Sequence, residues 1–123
     1  MHRLHDLVVQ YSFDGRTISL VKPYAYVDHD NNISIVPANF SCDGSSIPRL
    51  VWTILGESPM RGPHLFASIV HDYQYRDPNY SITRKQSDDL YFSICVKHGM
   101  SKFKALVMWA ALRLFAGDYF VRR

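Results

Sequence analysis

The chain changes character within residues 41–55, which read SCDGSSIPRLVWTIL. Residues 41–47 form a largely polar loop with a single glycine, and Pro48 is suited to the first turn of a helix. The residues before this loop are typical of strands, and those after it have apolar side chains at helical spacing. The stretch therefore predicts an α+β fold in which the strands come first and the helices follow.

The N-terminal part contains three runs rich in Val, Ile, Tyr and Thr, at residues 7–13, 17–27 and 33–36. An Asp-Gly pair at 14–15 is a hairpin signal between the first two runs. Pro23 lies inside the second run, so we expect that strand to be bent, broken or at a sheet edge there. The pattern predicts a three-stranded antiparallel meander over residues 1–40.

Three to four helices are expected after the loop. The first covers residues 48–55 and stops at Gly56, and the second begins at Pro63 and runs to about residue 76. Ser81 or Thr83 can cap a third helix that ends near Gly99, and Ser101 caps the last, which runs to about residue 116. Because the last helix is apolar on nearly every side, we expect it to be buried or paired with a partner.

The sequence has 123 residues, of which 47% are hydrophobic and 20% charged, which excludes disorder and coiled coil. A chain of this size can bury roughly two-thirds of its unfolded surface, so a core needs no disulfide or zinc. We expect one domain, with the meander at 1–40, a site loop at 41–47 and a helical part at 48–117. Cys42 and Cys95 are too few for a disulfide scaffold, which favours a reduced interior.

The positive charge is concentrated near the C-terminus. Residues 1–99 carry nine Lys or Arg against ten acidic residues, whereas residues 100–123 carry five against Asp118. Five basic residues spread over that segment are too thin a patch for nucleic acid, so no nucleic-acid partner is expected. There is no signal-peptide pattern and no apolar run of about 20 residues. We therefore expect a cytoplasmic protein without a transmembrane segment.

The sharpest chemical pattern is HDYQY at residues 71–75, which places His71 and Tyr75 on one helix face. Asp88 lies on the apolar side of the following helix. If the two helices pack antiparallel, Asp88 can accept a hydrogen bond from one nitrogen of His71, leaving the other to take a proton from water. Asp72 would then hold a hard cation with backbone carbonyls of the loop at Asp43. The pattern predicts a hydrolase dyad beside a candidate cation site.

Residues 71–76 and 88–92 resemble the His-Asp-x-x-Tyr helix and the following Asp-bearing helix of bacterial and fungal phospholipase A2. The resemblance implies that His71 is the general base acting through water, that Asp72 binds calcium and that Asp88 orients the base. It covers little beyond these two runs, the glycine-rich calcium loop is reduced to Gly44, and the disulfides of that family are missing.

A broader resemblance covers most of residues 20–117. VPANFSCDGSSIP at 36–48, HDYQY at 71–75 and the pair Arg84 and Asp88 resemble the phage and prophage family DUF1353. The pattern of that family is Val-Pro-x-x-Phe, Thr-Asp-Gly-Ala-Ser-Ile-Pro, His-Asp-x-x-Tyr and Arg-x-x-x-Asp, with Thr and Ala where Cys42 and Ser45 stand here. The resemblance implies a phage or prophage origin and joins the loop, the His-Asp pair and Asp88 in one site, without naming the reaction.

The candidate substrate-binding residues are Ser45, Tyr75 and Arg84. Two of them have a structural alternative, since a loop serine such as Ser45 can cap a helix and Arg84 can pair with Asp88 four residues later. His64 could add a ligand to a zinc site, and the last helix, which is basic at its ends, could lie on an anionic membrane.

The leading hypothesis is a phage-type, calcium-assisted hydrolase of a lipid or ester, with His71 as base and Asp88 as orienting group. Asp72 and Asp43 would be the metal ligands, and the protein would act in the host cytoplasm or in the virion. In the alternative, His71, Asp72 and Asp88 form a structural network in a non-catalytic phage structural, assembly or host-factor-binding protein.

Overall fold

The computed structural model describes residues 2–3, 6–27, 31–43, 47–59, 61–62, 64–78 and 80–121. Their contacts divide the chain into two compact units, Met1–Asp43 and Gly44–Arg123. The boundary lies in the predicted loop at 41–47. That the chain is one domain stays a prediction, and each unit is described by itself below.

The described residues of the N-terminal unit form six short strands. They are β1 (His2–Arg3), β2 (Val9–Tyr11), β3 (Ile18–Leu20), β4 (Tyr24–Val27), β5 (Ile33–Val36) and β6 (Ser41–Cys42). All neighbouring strands pair antiparallel, in two sheets with the orders β1-β4-β5 and β2-β3-β6. The α+β class, with antiparallel strands before four helices, is therefore confirmed.

The strands form two sheets where the sequence pattern indicated one meander. Pro23 falls between β3 and β4, which pair with different partners, so the predicted run at 17–27 is broken at the proline. A proline cannot donate to a sheet ladder, which is the physical reason for the break. The Asp-Gly turn is present, because the Gly15 amide donates to the Ser12 carbonyl at 2.9 Å and Gly15 has a φ of 73°.

Cys42 lies in strand β6 instead of the predicted polar loop. It pairs with Ile18 of β3 and is 5% exposed. Both residues belong to the buried set of this unit, which consists of Ile18, Leu20, Tyr24, Tyr26, Val36 and Cys42. In β3 and β4 the buried and partly exposed residues alternate, as expected for strands that bury one face.

In the C-terminal unit, the residues that the structure describes form four helices and one turn of 3₁₀ helix. They are α1 (Arg49–Leu55), α2 (Leu65–Arg76), α3 (Arg84–Lys97), α4 (Lys102–Phe115) and the 3₁₀ turn Gly117–Tyr119. Helix α1 ends at Gly56, whose φ of 69° is the left-handed conformation that favours glycine. Pro63, the predicted start of α2, lies outside the described residues. Helix α3 packs against both α2 and α4, so its inward side chains face the core of this unit.

Thr83, and not Ser81, caps helix α3. The Thr83 hydroxyl accepts from the Gln86 amide at 3.1 Å, and the Gln86 side chain accepts from the Thr83 amide at 3.0 Å. This reciprocal capping box satisfies two amides that the helix itself leaves without partners.

Replacing Thr83 by alanine is therefore expected to lower the free energy of unfolding by about 1 kcal/mol. The alanine variant of Ser81, an exposed residue two positions earlier, is the matched control and should change it by less than about 0.5 kcal/mol. Urea unfolding measures both. Equal effects would assign the cap to the wrong residue.

Helix α4 is buried on one side only. Ala105, Met108, Ala111 and Leu112 are buried, whereas Phe103 and Leu114 are 72% and 75% exposed. The predicted burial of this helix is therefore found on one face, and the other face is exposed. Within the described residues, no helix is both long and apolar enough to cross a bilayer.

Candidate functional site

Helices α2 and α3 bring His71 and Asp88 together in the core of the C-terminal unit. The Nε2 atom of His71 lies 2.7 Å from Oδ1 of Asp88, and the two residues are 2% and 0% exposed. Because an ionised carboxylate only accepts, Nε2 carries the hydrogen and donates it. In a neutral imidazole the other nitrogen, Nδ1, is then the basic one. The predicted contact between the two residues is present.

Asp88 has three further cationic or hydroxyl neighbours. Its Oδ1 atom also accepts from the Tyr75 hydroxyl at 2.5 Å, and its Oδ2 atom accepts from Nη1 of Arg113 at 2.8 Å. The Nε atom of Arg84 lies 4.0 Å from Oδ2. A fully buried carboxylate is tolerated only when it is paired and hydrogen-bonded, and this arrangement meets that requirement.

Arg84 connects the site to the end of helix α4. It donates from Nε to the Tyr75 hydroxyl at 3.1 Å, and from Nη2 to the carbonyls of Leu112 at 2.6 Å and Arg113 at 3.0 Å. The Leu112 carbonyl also accepts from the Ala116 amide at 3.0 Å, so the guanidinium adds a second bond there and caps the Arg113 carbonyl in the last turn of the helix. Tyr75 is 1% exposed. Substrate contact by Tyr75 and Arg84 stays a prediction, and Ser45 lies outside the described residues.

The pKa values of His71 and Asp88 are shifted in opposite directions from their ordinary values. Burial disfavours the charged form of His71, but the carboxylates of Asp72 and Asp88 outweigh it and raise the pKa of the imidazole above its ordinary 6.5. Burial alone would raise the pKa of Asp88, but hydrogen bonds from His71, Tyr75 and Arg113 lower it below the ordinary 3.8. At neutral pH, Asp88 is therefore an anion that stabilises a positive charge on His71.

A cavity of about 10 Å³ adjoins His71 within the same unit. It is lined by Ile47, Trp52, Ser68, His71, Asp72, Tyr91 and Leu112. The Nδ1 atom of His71 lies 3.8 Å from Oδ1 of Asp72, so this nitrogen is on the Asp72 side of the ring. The cavity volume is sufficient for about one water molecule.

Tyr91 is the cavity residue that sequence reasoning missed. Its hydroxyl is buried and makes no hydrogen bond of normal geometry among the described residues, although the side chains of Ser68 and Cys95 are close enough to affect its pKa. Burial raises the pKa of this hydroxyl, so it stays protonated. Buried polar groups normally have a partner, and a water in the cavity would provide one. The spacing of Tyr91 three residues after Asp88 was a usable signal, since such residues share a helix face.

Arg113 was also missed as a partner of Asp88, because 25 residues separate them in sequence. The signal available was that Arg113 interrupts the otherwise apolar run of the last helix. A charge within an apolar run is costly to bury unless a counter-charge meets it.

The predicted cation site is only partly described. Asp72 lies 3.7 Å from Nη2 of Arg76, and the described residues contain no group of three or more His, Cys, Asp or Glu arranged to hold a metal. Asp43 is an exposed residue at the end of the N-terminal unit. Calcium takes six to eight oxygen ligands, which Asp72 does not supply by itself. Calcium binding by Asp72 and Asp43 stays a prediction.

The contacts of His64 are those of a buried structural residue. Its Nε2 atom donates to the Ser58 carbonyl at 2.6 Å, its ring centre lies 4.9 Å from that of Trp52, and Nδ1 has no partner among the described residues. Burial lowers the pKa of His64. Cys95 is 0% exposed, and burial raises its pKa to about 12, so it is an inert thiol at neutral pH.

The two buried histidines should titrate on opposite sides of pH 6.5. His71, whose pKa is raised, contributes stability that is complete below pH 6.5 and is lost as the pH rises through its folded pKa. His64, whose pKa is lowered, contributes stability above pH 6.5 that is lost as the pH falls below it. NMR titration of the ring signals should place the His71 midpoint above 6.5 and the His64 midpoint below. The reverse order would contradict the charge assignment.

These features define a small α+β protein whose helical unit holds a buried His-Asp pair beside a water-sized cavity. The chain belongs to DUF1353, described as a family of proteins of unknown function, whose model matches residues 18–112. The matched range contains His71, Asp72 and Asp88.

A curated relative is the uncharacterized protein y4jT of Sinorhizobium fredii (strain NBRC 101917 / NGR234). It is 30% identical over 84 residues, which are 68% of this chain and 24% of the relative. The chain thus spans about a quarter of the length of that protein. No solved structure matches the chain.

Proposed function

We propose that the C-terminal unit is a hydrolase of an ester, with His71 as the general base. The observation that carries this proposal is the 2.7 Å contact between Nε2 of His71 and Asp88, which leaves Nδ1 as the basic nitrogen of a residue that lines a cavity with room for about one water. A base must be within reach of the proton it takes, and a water in this cavity would meet that condition.

The proposed reaction begins with a water in the cavity. His71 takes one proton from it at Nδ1, and the oxygen attacks the carbonyl carbon of the ester. Asp88 stabilises the imidazolium that forms, since the carboxylate is already ionised and bonded to Nε2. The carbon–oxygen bond of the leaving group then breaks, and His71 returns the proton to the alcohol oxygen. The products are one carboxylic acid and one alcohol.

The Tyr91 hydroxyl has a role in this scheme. It is protonated, lines the cavity and makes no hydrogen bond of normal geometry among the described residues. Such a donor can hold the attacking water in place.

Access to the cavity requires movement. A volume of about 10 Å³ leaves no room for an ester beside the water. Ile47 and Trp52 form part of the wall, and α1, which contains Trp52, exposes Leu50 and Ile54 on its other side. The proposal therefore includes displacement of this wall when a substrate binds.

A structural role for the same residues is the competing proposal. The complete burial of Asp88 and its bonds to His71, Tyr75 and Arg113 favour it, since such a network holds three helices in one register. The protein would then be a non-catalytic phage structural, assembly or host-factor-binding protein. Activity measurements on variants with measured stability separate the two.

The experiment compares hydrolysis of 4-nitrophenyl butyrate and of a phospholipid by the wild type and two variants. H71N should reduce the rate at least about a hundredfold, because the base is lost. Y91F should reduce it about tenfold and leave the melting temperature unchanged or higher, since it removes only a buried hydroxyl that makes no hydrogen bond of normal geometry among the described residues. The wild-type rate should rise with pH through a midpoint above 6.5, because only neutral His71 is a base.

The same hydrolysis measurements are repeated with and without calcium. If Asp72 holds the ion, calcium should raise both the rate and the melting temperature of the wild type, and D72N should abolish both effects. A wild-type rate equal to that of buffer on both substrates, with and without calcium, would overturn the hydrolase proposal. So would a folded H71N variant with the wild-type rate.

A further inference from the structure

The C-terminal unit exposes large apolar side chains on two of its helices. The exposed large apolar side chains of helices α1 and α4 are Leu50, Ile54, Phe103, Leu106, Leu114 and Phe115. On the described parts of α2 and α3, no large apolar side chain is as exposed. Helix α1 contacts α4. Scattered apolar residues on a surface need no explanation, but several large ones on two touching helices indicate an interaction surface.

On α4 the exposed residues form a continuous stripe. At about 100° per residue, Phe103, Leu106, Val107, Ala110 and Leu114 fall within an arc of about 100°. Phe103, Leu106 and Leu114 are 72%, 53% and 75% exposed. The buried residues of the helix lie on the opposite side. Helix α4 thus has two apolar faces, of which one forms the core and the other, here named the α4 stripe, does not.

Basic residues lie beside the α4 stripe along one edge. Lys102 and Arg113 are within about 40° of that edge of the arc, whereas Lys104 lies about 60° beyond the other edge, between the buried Ala111 and Met108. Arg113 also binds Asp88, and Lys104 binds Glu57 at 2.8 Å. Neither α1 nor α4 contains an Asp or Glu, and α1 adds the exposed Arg49. Arg113 and Lys104 are thus already paired within the protein, and the exposed basic residues that remain for a partner are Lys102 and Arg49. A partner that combines an apolar face with negative charge fits this surface.

We propose that the α4 stripe binds the surface of an anionic lipid membrane. The five side chains of the stripe contain no hydrogen-bonding group, so they suit acyl chains, while the exposed Lys102 and Arg49 suit anionic headgroups. A helix of 14 residues is about 21 Å long and cannot cross a hydrocarbon core of about 30 Å, so α4 lies in the plane of the interface. This proposal does not depend on the hydrolase proposal.

The test is flotation of the full chain with large unilamellar vesicles. Vesicles containing phosphatidylglycerol should bind the wild type at low ionic strength, and vesicles of phosphatidylcholine alone should bind it about tenfold less. Replacement of two stripe residues, F103E with L114E, should reduce the partition coefficient on anionic vesicles at least about tenfold. Both positions are exposed, so the variant should retain its melting temperature.

The matched control variant introduces the same two negative charges outside the α4 stripe. Phe13 and Ile33 are exposed residues of the N-terminal unit, and F13E with I33E should bind like the wild type. Equal loss in both double variants would mean that net charge alone drives binding and would overturn the assignment to the stripe. Absence of wild-type binding to anionic vesicles would overturn the proposal. A concentration-dependent dimer that F103E with L114E abolishes, without vesicle binding, would assign the stripe to self-association instead.

Discussion

Replacement of Asp88 by alanine is expected to lower the free energy of unfolding by about 3–5 kcal/mol. The carboxylate is 0% exposed and accepts hydrogen bonds from His71, Tyr75 and Arg113. Its removal leaves the buried donors of His71 and Tyr75 and the partly buried guanidinium of Arg113, which is 30% exposed, without their acceptor. The loss of one member of a buried ionic network is costly for that reason. Urea unfolding at pH 7 measures the difference.

Asp89 is the matched control for this prediction. It is the next residue of α3, and its carboxylate accepts from Lys85 at 2.7 Å and from Trp109 at 2.9 Å, but its side chain is 45% exposed. Because water solvates these groups when the carboxylate is absent, D89A should cost about 1 kcal/mol or less. Similar losses in D88A and D89A would contradict the burial of Asp88.

The cost of D88A should also depend on pH. The folded pKa of Asp88 is lowered from 3.8, so its contribution to stability is complete above that pH and is lost as the pH falls through the folded pKa. The stability difference between the wild type and D88A should therefore narrow in acid. A difference that stays constant below pH 3.8 would mean that Asp88 is not ionised in the folded protein.

Replacement of Leu112 by alanine is the second large prediction, with an expected loss of about 2–5 kcal/mol. Leu112 is 1% exposed and forms part of the cavity wall beside His71. The truncation removes buried methyl groups and enlarges a cavity lined by residues of all four helices α1 to α4, so the site can collapse only in part.

Leu114 provides the matched control, because the same substitution is made two residues later on the same helix. It is 75% exposed, so L114A should change the free energy of unfolding by less than about 0.5 kcal/mol. Comparable losses in L112A and L114A would show that both faces of α4 are buried in solution. That result would place a partner chain on the α4 stripe.

Much of the fold follows from local signals in the sequence. The helix limits at Gly56, Thr83 and Ser101 were predictable, because left-handed glycines and hydroxyl caps act within a few residues. The contact between His71 and Asp88 was also predictable, because helical spacing assigns each residue to the inner face of its helix. The division of the strands into two sheets was not, although Pro23 indicated a break. Strand pairing joins residues far apart in sequence, and no local signal specifies the partner.

The sequence by itself determined the α+β class, the order of strands and helices, and the His-Asp pair, because these depend on side-chain periodicity and turn chemistry over short distances. Only the tertiary structure decided the surroundings of the pair. It placed Arg113 of α4 on Asp88, Tyr91 beside a water-sized cavity, and the second apolar face of α4 in solvent. A helix with apolar residues on nearly every side does not specify which side the core takes, since that choice depends on the shapes and charges of the helices packed against it.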